Sequence, residues 1–246
     1  MRFLIFVTLL TVLSGGLVGS TVTGTYFDRF VLFIFENTNY AKAIKNSYLK
    51  TLGNQGVLFT NYFAVSHPSE PNYVAQIFGS TFNITDDGDY NITGTNLVDL
   101  LESKGITWKA YMQNYMNADN LDADIASNSV PQFVYYVPNQ QNDAHDTSVD
   151  FAMSWFQPFF EARRTNPNFN TNTLFFIVFD ESGGGSSNQV YASIVGTPVN
   201  PPSGHSDNTA YNHYSIPATI EANWGLGNMG RFDSNATAFT RYLLHP

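Results

Sequence analysis

Two uninterrupted apolar runs stand out in the hydrophobic pattern of the chain. Residues 30–35 and 174–179 contain no polar side chain, so each run predicts a strand that is buried on both faces, as strands of parallel sheets are. Strand-like and helix-like segments alternate around them. The other predicted strands cover residues 57–65, 106–112, 132–137 and 190–195, and the predicted helices cover residues 41–55, 97–104, 149–164 and 215–224. This alternation predicts an α/β sandwich with a largely parallel central sheet.

A polar stretch interrupts this alternation late in the chain. Residues 195–212 are rich in Pro, Gly, Ser and Asn, which are the residue types that favour turns over helices and strands. We therefore expect a surface loop there, lying near the functional site.

Composition and charge narrow the class of protein. The chain has 246 residues, of which 43% are hydrophobic and 13% are charged, so it is long and apolar enough to form one folded domain. Its formal net charge of −9 would repel nucleic acid and anionic lipid, and we expect neither nucleic-acid binding nor stable membrane association. Cysteine is absent, which excludes disulfides, thiolate nucleophiles and cysteine metal sites.

The first twenty residues read as a secretory signal peptide. Arg2 precedes an apolar run at residues 3–13, and small residues follow up to an expected cleavage point after Ser20. The alternative is a membrane anchor, but the run is short for a hydrocarbon core of about 30 Å. We therefore predict a secreted glycoprotein with one domain over residues 21–246. Three N-x-S/T sequons agree with a secretory route, at Asn83, Asn91 and Asn235.

Polar clusters follow the predicted strands. Ligands of parallel α/β sheets collect beyond the carboxyl ends of the strands, so these clusters are candidates for a single site. They are residues 36–37, 66–73, 142–146, 180–182 and 211–215. Each has an ordinary structural explanation, such as a helix cap, a turn or a loop histidine paired with a carboxylate. The convergence of five clusters on one sheet edge favours a metal and phosphate site.

The same residues resemble the fungal-type secreted acid phosphatases. The similar segments are Glu36-Asn37-Thr38-Asn39, His67-Pro68-Ser69-Glu70-Pro71-Asn72-Tyr73, Asn142-Asp143-Ala144-His145-Asp146, Phe179-Asp180-Glu181 and Tyr211-Asn212-His213-Tyr214-Ser215. The His67–Tyr73 stretch is the most specific of them, and the resemblance spans roughly residues 27–232. That family belongs to a phosphoesterase group that includes bacterial phospholipases C. The resemblance therefore implies an alkaline-phosphatase-like α/β/α fold and hydrolysis of small phosphorylated substrates.

The resemblance also implies a role for each candidate residue. Ser69 resembles the nucleophile, and Asn72 resembles an amide that steadies a phosphoryl oxygen. A divalent metal cation is implied, which would lower the pKa of the serine hydroxyl. The implied metal ligands are Glu36, Asn37, Asp180, Glu181 and Asp143, and the implied further catalytic residues are His145 and His213.

Three functions stay open at this point. The first is a metal-dependent acid phosphatase acting on phosphate monoesters, which would work best at acidic pH. The second is a phospholipase C-like phosphodiesterase, and the third is a secreted pseudoenzyme that binds a phosphorylated ligand without turnover. Relatives usually carry a Lys-His-Asn-Pro-like stretch where this chain has only residues 117–131, which contain no Lys, Arg or His. This shortened segment slightly favours the pseudoenzyme.

Overall fold

The computed structural model describes residues 21–114, 120–184, 187–200 and 204–244. The predicted signal peptide at residues 1–20 lies outside the described residues, as do residues 117–119 of the shortened segment. No helix within the described part is long and apolar enough to cross a membrane.

The described residues form a seven-stranded sheet and a separate two-stranded ribbon. The strands are β1 (Arg29–Phe35), β2 (Val57–Phe59), β3 (Tyr62–Phe63), β4 (Trp108–Met112), β5 (Phe133–Val137), β6 (Thr173–Phe179), β7 (Ala192–Gly196), β8 (His205–Asp207) and β9 (Tyr211–Asn212). The sheet has the order β4-β5-β1-β6-β7-β2-β8, and β3 pairs with β9. Only β7 runs antiparallel to its neighbours, so the prediction of a largely parallel sheet is confirmed.

Eight α-helices and one 3-10 helix connect these strands within the described residues. The helices are α1 (Tyr40–Ala43), α2 (Ser47–Gln55), α3 (Glu70–Phe78), α4 (Leu97–Ser103), α5 (Leu121–Ala126), α6 (Val149–Arg164), α7 (Pro167–Asn170), α8 (Ser215–Trp224) and the 3-10 helix Phe232–Asn235. The predicted helix over 41–55 is in fact two helices. Asn46 separates them, because its side chain accepts hydrogen bonds from the N–H groups of Tyr48 and Leu49 and so begins a new helix.

Helices cover both faces of the sheet. On one face the ring of Phe33 in β1 lies 5.1 Å from that of Phe156 in α6. On the other face Phe27, which leads into β1, lies 5.3 Å from Trp224 in α8. Every residue from Phe30 to Phe35 is fully buried, as the uninterrupted apolar run predicts. The molecule is therefore an α/β/α sandwich with β1 and β6 in the middle of its sheet.

The expectation of a continuous surface loop over residues 195–212 is wrong for the segments that form strands. This stretch contains β8, which extends the sheet by pairing with β2, and β9, which pairs with β3. Polar residues form these strands because β8 lies at the edge of the sheet, where one side faces no further strand. The carboxylate of Asp207 holds the connection by accepting hydrogen bonds from Thr209 and Tyr211. None of the described residues of this stretch lines the cavity of the candidate site.

The carboxyl groups of Glu221 and Asp233 are buried near each other, outside the candidate site. Asp233 of the 3-10 helix accepts hydrogen bonds from the N–H groups of Met229 (2.7 Å) and Arg231 (3.0 Å). Glu221 of α8 is also buried, and its Oε1 has no hydrogen-bond partner. Burial and the neighbouring Asp233 together raise the pKa of Glu221 from an ordinary 4.5 to about 8. Folding therefore favours a protonated Glu221.

We expect Glu221 to make the fold more stable in acid. Folded Glu221 keeps its proton between pH 4.5 and about 8, whereas the unfolded chain has already lost it, so the free energy of unfolding falls as pH rises through this window. Glu221→Gln is neutral at every pH and should remove about 1–2 kcal/mol of that fall between pH 5 and 8. Urea unfolding of both proteins at the two pH values measures the difference. An equal fall in both would show that Glu221 does not titrate in this way.

Candidate active site

Three neighbouring strands deliver polar residues to the same edge of the sheet. Glu36 and Asp180 come directly after the adjacent parallel strands β1 and β6, and Asp143 lies in the segment after β5. The N–H of Asp180 donates to the carbonyl of Phe35 (2.8 Å), and the N–H of Glu36 donates to the carbonyl of Asp143 (2.9 Å). Backbone hydrogen bonds therefore continue past the ends of the strands and fix these side chains beside one another.

Asp180 lies at the centre of this edge and is fully buried. Its Oδ1 accepts hydrogen bonds from the N–H groups of Asn37 (3.1 Å) and Glu181 (2.6 Å). Its Oδ2 is buried without a hydrogen-bond partner. Burial raises the pKa of Asp180, the nearby carboxylate of Glu36 raises it further, and the Ser69 hydroxyl offsets part of the rise. An unpaired buried carboxylate of this kind is costly unless a cation or a proton neutralises it.

Ser69 stands at the N-terminus of α3 with its hydroxyl turned toward this cluster. The side chain makes no hydrogen bond that caps the helix. Its Oγ instead donates to Oδ1 of Asn37 at 3.3 Å. This differs from an ordinary turn serine, whose hydroxyl would bond nearby backbone. The helix N-terminus also provides a partial positive charge at this point, which suits an anionic ligand.

Besides Asp180, this edge of the sheet carries two further buried carboxyl groups. Glu36 is buried, and its Oε1 accepts a hydrogen bond from the hydroxyl of Tyr73 at 2.5 Å. Burial raises the pKa of Glu36. Asp143 is buried as well, and its Oδ1 accepts the N–H of His145 at 2.8 Å. Burial and the nearby Glu36 raise the pKa of Asp143 to about 8. The site thus concentrates acidic groups where their charge is poorly solvated.

The histidines occupy different positions. His145 is partly exposed, and its Nδ1 lies 2.8 Å from Oδ1 of Asp146. His213 is fully buried, between the Tyr62 hydroxyl (3.2 Å) and the backbone carbonyl of Asp180 (2.6 Å). Burial lowers the pKa of His213 to about 4. His213 therefore supports the backbone of Asp180 in this structure. It does not line the cavity, although the resemblance implies that it is a catalytic residue.

Asn72 does not line the cavity either, although the resemblance implies that its amide steadies a phosphoryl oxygen. It is fully buried, and its Oδ1 accepts the N–H groups of Val65 (2.9 Å) and Ser66 (3.1 Å). Its Nδ2 donates to the carbonyls of Ser66 (2.9 Å) and Pro68 (3.1 Å). The two bonds from Nδ2 use both N–H donors of the amide, so no donor is left for a phosphoryl oxygen. The amide holds the loop that carries Ser69.

A cavity of about 230 Å³ opens above Ser69. It is lined by Asn37, Pro68, Ser69, Asp87, Gln140, His145, Asp146 and Glu181. Four of these are predicted site residues: Asn37, Ser69, His145 and Glu181. The other predicted residues lie behind this lining: Glu36, Asn72, Asp143, Asp180 and His213.

Sequence reasoning missed several residues of the site. His67 contacts Glu181 through its Nδ1, and its position two residues before Ser69 was a usable signal. Tyr73 lies in the most specific of the similar segments, yet its bond to Glu36 follows only from the way α3 packs against β1. Asp146 ends the candidate cluster 142–146, which was a usable signal, whereas Asp87 belongs to a loop with no periodic pattern, so nothing local indicated that it reaches the cavity.

The residues around Asp180 suit a divalent cation by their chemistry. Glu36, Asn37, Asp180 and Glu181 offer carboxylate and amide oxygens, which hard divalent cations prefer. The ion pairs of lysine and arginine within the described residues all lie elsewhere. No described group of three or more His, Asp or Glu side chains is arranged to hold a metal on its own. A cation bound beside the unpartnered Oδ2 of Asp180 would therefore also use the oxygen of Asn37 or Ser69.

Comparison with known sequences assigns the chain to a family. Residues 36–122 and 113–227 match the Phosphoesterase family, and these stretches contain every candidate site residue. The chain belongs to the Phosphoesterase family. The two matched stretches overlap at residues 113–122, which include the start of the shortened segment.

Two fungal proteins of similar sequence carry acid phosphatase names. The chain is 33% identical to a probable acid phosphatase of Kluyveromyces lactis, over 88% of this chain and 63% of that protein. It is 32% identical to an acid phosphatase of Aspergillus fumigatus, over 88% of this chain and 59% of that protein. The resemblance to fungal acid phosphatases is therefore confirmed. The chain spans about three fifths of the length of these relatives.

Solved structures confirm the predicted fold. A protein in the alkaline phosphatase superfamily from Vibrio parahaemolyticus superposes with a TM-score of 0.61, covering 89% of this chain and 72% of that one at 13% identity. At this identity the similarity concerns the fold alone. The Phosphoesterase family member described here thus has the predicted alkaline-phosphatase-like fold.

Proposed function

We propose that this chain hydrolyses phosphate monoesters, as an acid phosphatase, with Ser69 as its nucleophile and with a divalent metal cation as cofactor. The observation that carries the proposal is the placement of the Ser69 hydroxyl. It lies at the N-terminus of α3, on the floor of a cavity, next to Asn37 and close to the buried Asp180. The fungal relatives that carry acid phosphatase names support the same activity.

The residues around the cavity supply the parts of a two-step hydrolysis. The substrate phosphoryl group would lie against the N-terminus of α3. Ser69 Oγ attacks phosphorus while the bond from phosphorus to the alcohol oxygen breaks, which gives phosphoserine and the free alcohol. His145, on the cavity wall, is placed to protonate the departing alkoxide. Water then attacks the phosphoserine, and inorganic phosphate leaves as the serine hydroxyl is restored.

The cation has a defined part in this proposal. Glu36, Asn37, Asp180 and Glu181 would hold it, with Asp143 behind Glu36. When bound, it lowers the pKa of the serine hydroxyl and neutralises charge on the phosphoryl oxygens. Its positive charge would also offset the buried carboxylates, whose pKa values are raised by burial.

Secretion and glycosylation belong to the same proposal. The signal-peptide pattern of residues 1–20 supports secretion. All three sequon asparagines, Asn83, Asn91 and Asn235, are exposed to solvent, so each is accessible to a glycosyltransferase.

A second candidate is binding without turnover. The described lining of the cavity contains no Lys or Arg, and the shortened segment lacks the basic stretch that relatives usually carry there. Without a basic side chain at the cavity, a cation and histidine would have to neutralise the negative charge of the phosphoryl group. A protein with this site could bind a phosphorylated ligand but stabilise the transition state poorly.

One assay distinguishes these functions. The secreted protein is incubated with p-nitrophenyl phosphate and with bis(p-nitrophenyl) phosphate, each at pH 5 and pH 8, with and without a chelator. We expect hydrolysis of the monoester, faster at pH 5 and lost with chelator. Faster hydrolysis of the diester would instead indicate a phospholipase C-like phosphodiesterase. Binding of phosphate without hydrolysis of either ester would indicate the pseudoenzyme.

A further inference from the structure

The mouth of the cavity above Ser69 is acidic on two sides. Asp87 contributes a carboxylate from the loop after α3, and Asp146 contributes one from the segment after β5. Both side chains are exposed. The lining contains no Lys or Arg, and the internal segments outside the described residues, 115–119, 185–186 and 201–203, contain none in their sequence.

Asp87 is held close to the proposed nucleophile. Its Oδ1 accepts a hydrogen bond from the N–H of Glu70 at 2.9 Å, and Glu70 directly follows Ser69. This bond fixes the carboxylate on the wall of the cavity, one residue away from the serine. Asp146 is oriented differently, because its Oδ1 pairs with Nδ1 of His145 at 2.8 Å. Asp87 is thus the cavity carboxylate whose charge is not shared with a histidine.

The wall that carries Asp87 is rich in carboxyl groups, since Asp87 bonds to the N–H of Glu70 and Asp89 follows in the same loop. Burial raises the pKa of Glu70 to about 7, and the nearby carboxylates of Asp87 and Asp89 add to the rise. The carboxylates of Asp87 and Asp146, which line the cavity, would attract a cationic group of a ligand. They would repel a ligand that carries additional negative charge.

The geometry of phosphoryl transfer directs the alcohol part of a substrate toward these carboxylates. The attacking and leaving oxygens lie roughly in line across phosphorus. Since Ser69 Oγ attacks from the floor, the leaving oxygen points to the mouth of the cavity. Asp87 and Asp146 are the exposed carboxylates of the cavity lining, so the alcohol part of the substrate would extend to their side of the cavity.

We propose that this cavity selects phosphate monoesters whose alcohol part carries a positive charge, and that Asp87 is the specificity-determining residue. The proposal rests on the proposed function. It adds a substrate class, the phosphate esters of amino alcohols. The ammonium group of such an ester would lie beside the Asp87 carboxylate while its phosphoryl group meets Ser69.

Two esters of equal size test the proposal. O-phosphoethanolamine and n-propyl phosphate differ only in an ammonium group that replaces a methyl group. We expect kcat/KM of the wild type to favour O-phosphoethanolamine by about tenfold at low salt, and this preference to shrink as salt screens the charges. Asp87→Asn keeps an acceptor for the N–H of Glu70 and removes the charge, so the preference should fall to about twofold or less.

Asp86→Asn is the matched control. Asp86 belongs to the same loop and carries the same charge, but its carboxylate bonds to the hydroxyl of Tyr90 and does not line the cavity. This variant should keep the preference of the wild type. Equal kcat/KM for the two esters in the wild type, or an unchanged preference in Asp87→Asn, would overturn the specificity while leaving phosphatase activity in place. If the wild type hydrolysed neither ester, the proposed function would fall and this proposal with it.

Discussion

Replacing Asp180 by asparagine is expected to lower turnover by about a thousandfold or more, the loss that follows removal of a group central to charge stabilisation. The fold should survive, because the amide oxygen of asparagine can still accept the N–H groups of Asn37 and Glu181. The variant also removes a buried carboxylate whose Oδ2 has no partner. In the presence of a chelator, we therefore expect the variant to be at least as stable as the wild type.

The thermal midpoint gives a second, independent measurement for this variant. A divalent cation that binds the folded state should raise the Tm of the wild type, and Asp180→Asn should lose most of that rise. Asp207→Asn is a matched control, since Asp207 is equally buried but lies in β8 at the far edge of the sheet. Normal turnover and a normal cation-dependent rise in Tm for Asp180→Asn would show that Asp180 is not a metal ligand.

Replacing Ser69 by alanine is expected to lower turnover at least about a hundredfold, the lower end of what catalytic groups of this kind contribute. Substrate binding should change much less, because the helix N-terminus and the carboxylates proposed to hold a cation remain. The stability of the fold should also change little, since the Ser69 hydroxyl does not cap α3. Measurement of kcat and KM with p-nitrophenyl phosphate separates the two effects.

Ser66→Ala provides the control for that experiment. Ser66 lies in the same loop, and among the described residues its hydroxyl bonds to the carbonyl of His67. We expect its turnover to stay within about twofold of the wild type, as is usual for surface substitutions. A fully active Ser69→Ala variant would remove the covalent intermediate from the mechanism and leave water as the attacking group.

The fold was largely predictable because its central strands are buried on both faces. Residues 30–35 and 174–179 carry that burial as uninterrupted apolar runs, and they are the strands β1 and β6. The edge of the sheet was not predictable in the same way. β8 is polar, and it pairs with β2, which precedes it by about 150 residues, so no local pattern indicates it.

The candidate site was likewise predictable only in part. Glu36 and Asp180 were predictable because they follow adjacent buried strands, and parallel strands end at one edge. The environments of Asn72 and His213 were not, since each depends on partners supplied by other segments: backbone groups of the loop at residues 65–68 for Asn72, and Tyr62 and Asp180 for His213. Residue type alone does not distinguish a group that contacts substrate from one that supports the backbone behind it.

The central claim is that Ser69 attacks phosphorus, and rapid acid quench during turnover tests it most directly. The wild type is mixed with a phosphate monoester and a divalent cation, quenched in acid within milliseconds, digested and examined by peptide mass spectrometry. We predict phosphate on Ser69, resolved by fragmentation from Ser66 in the same peptide, and none in Ser69→Ala or in protein treated with chelator. Phosphate release at the normal rate with no phosphate found on Ser69 at any quench time would contradict the account.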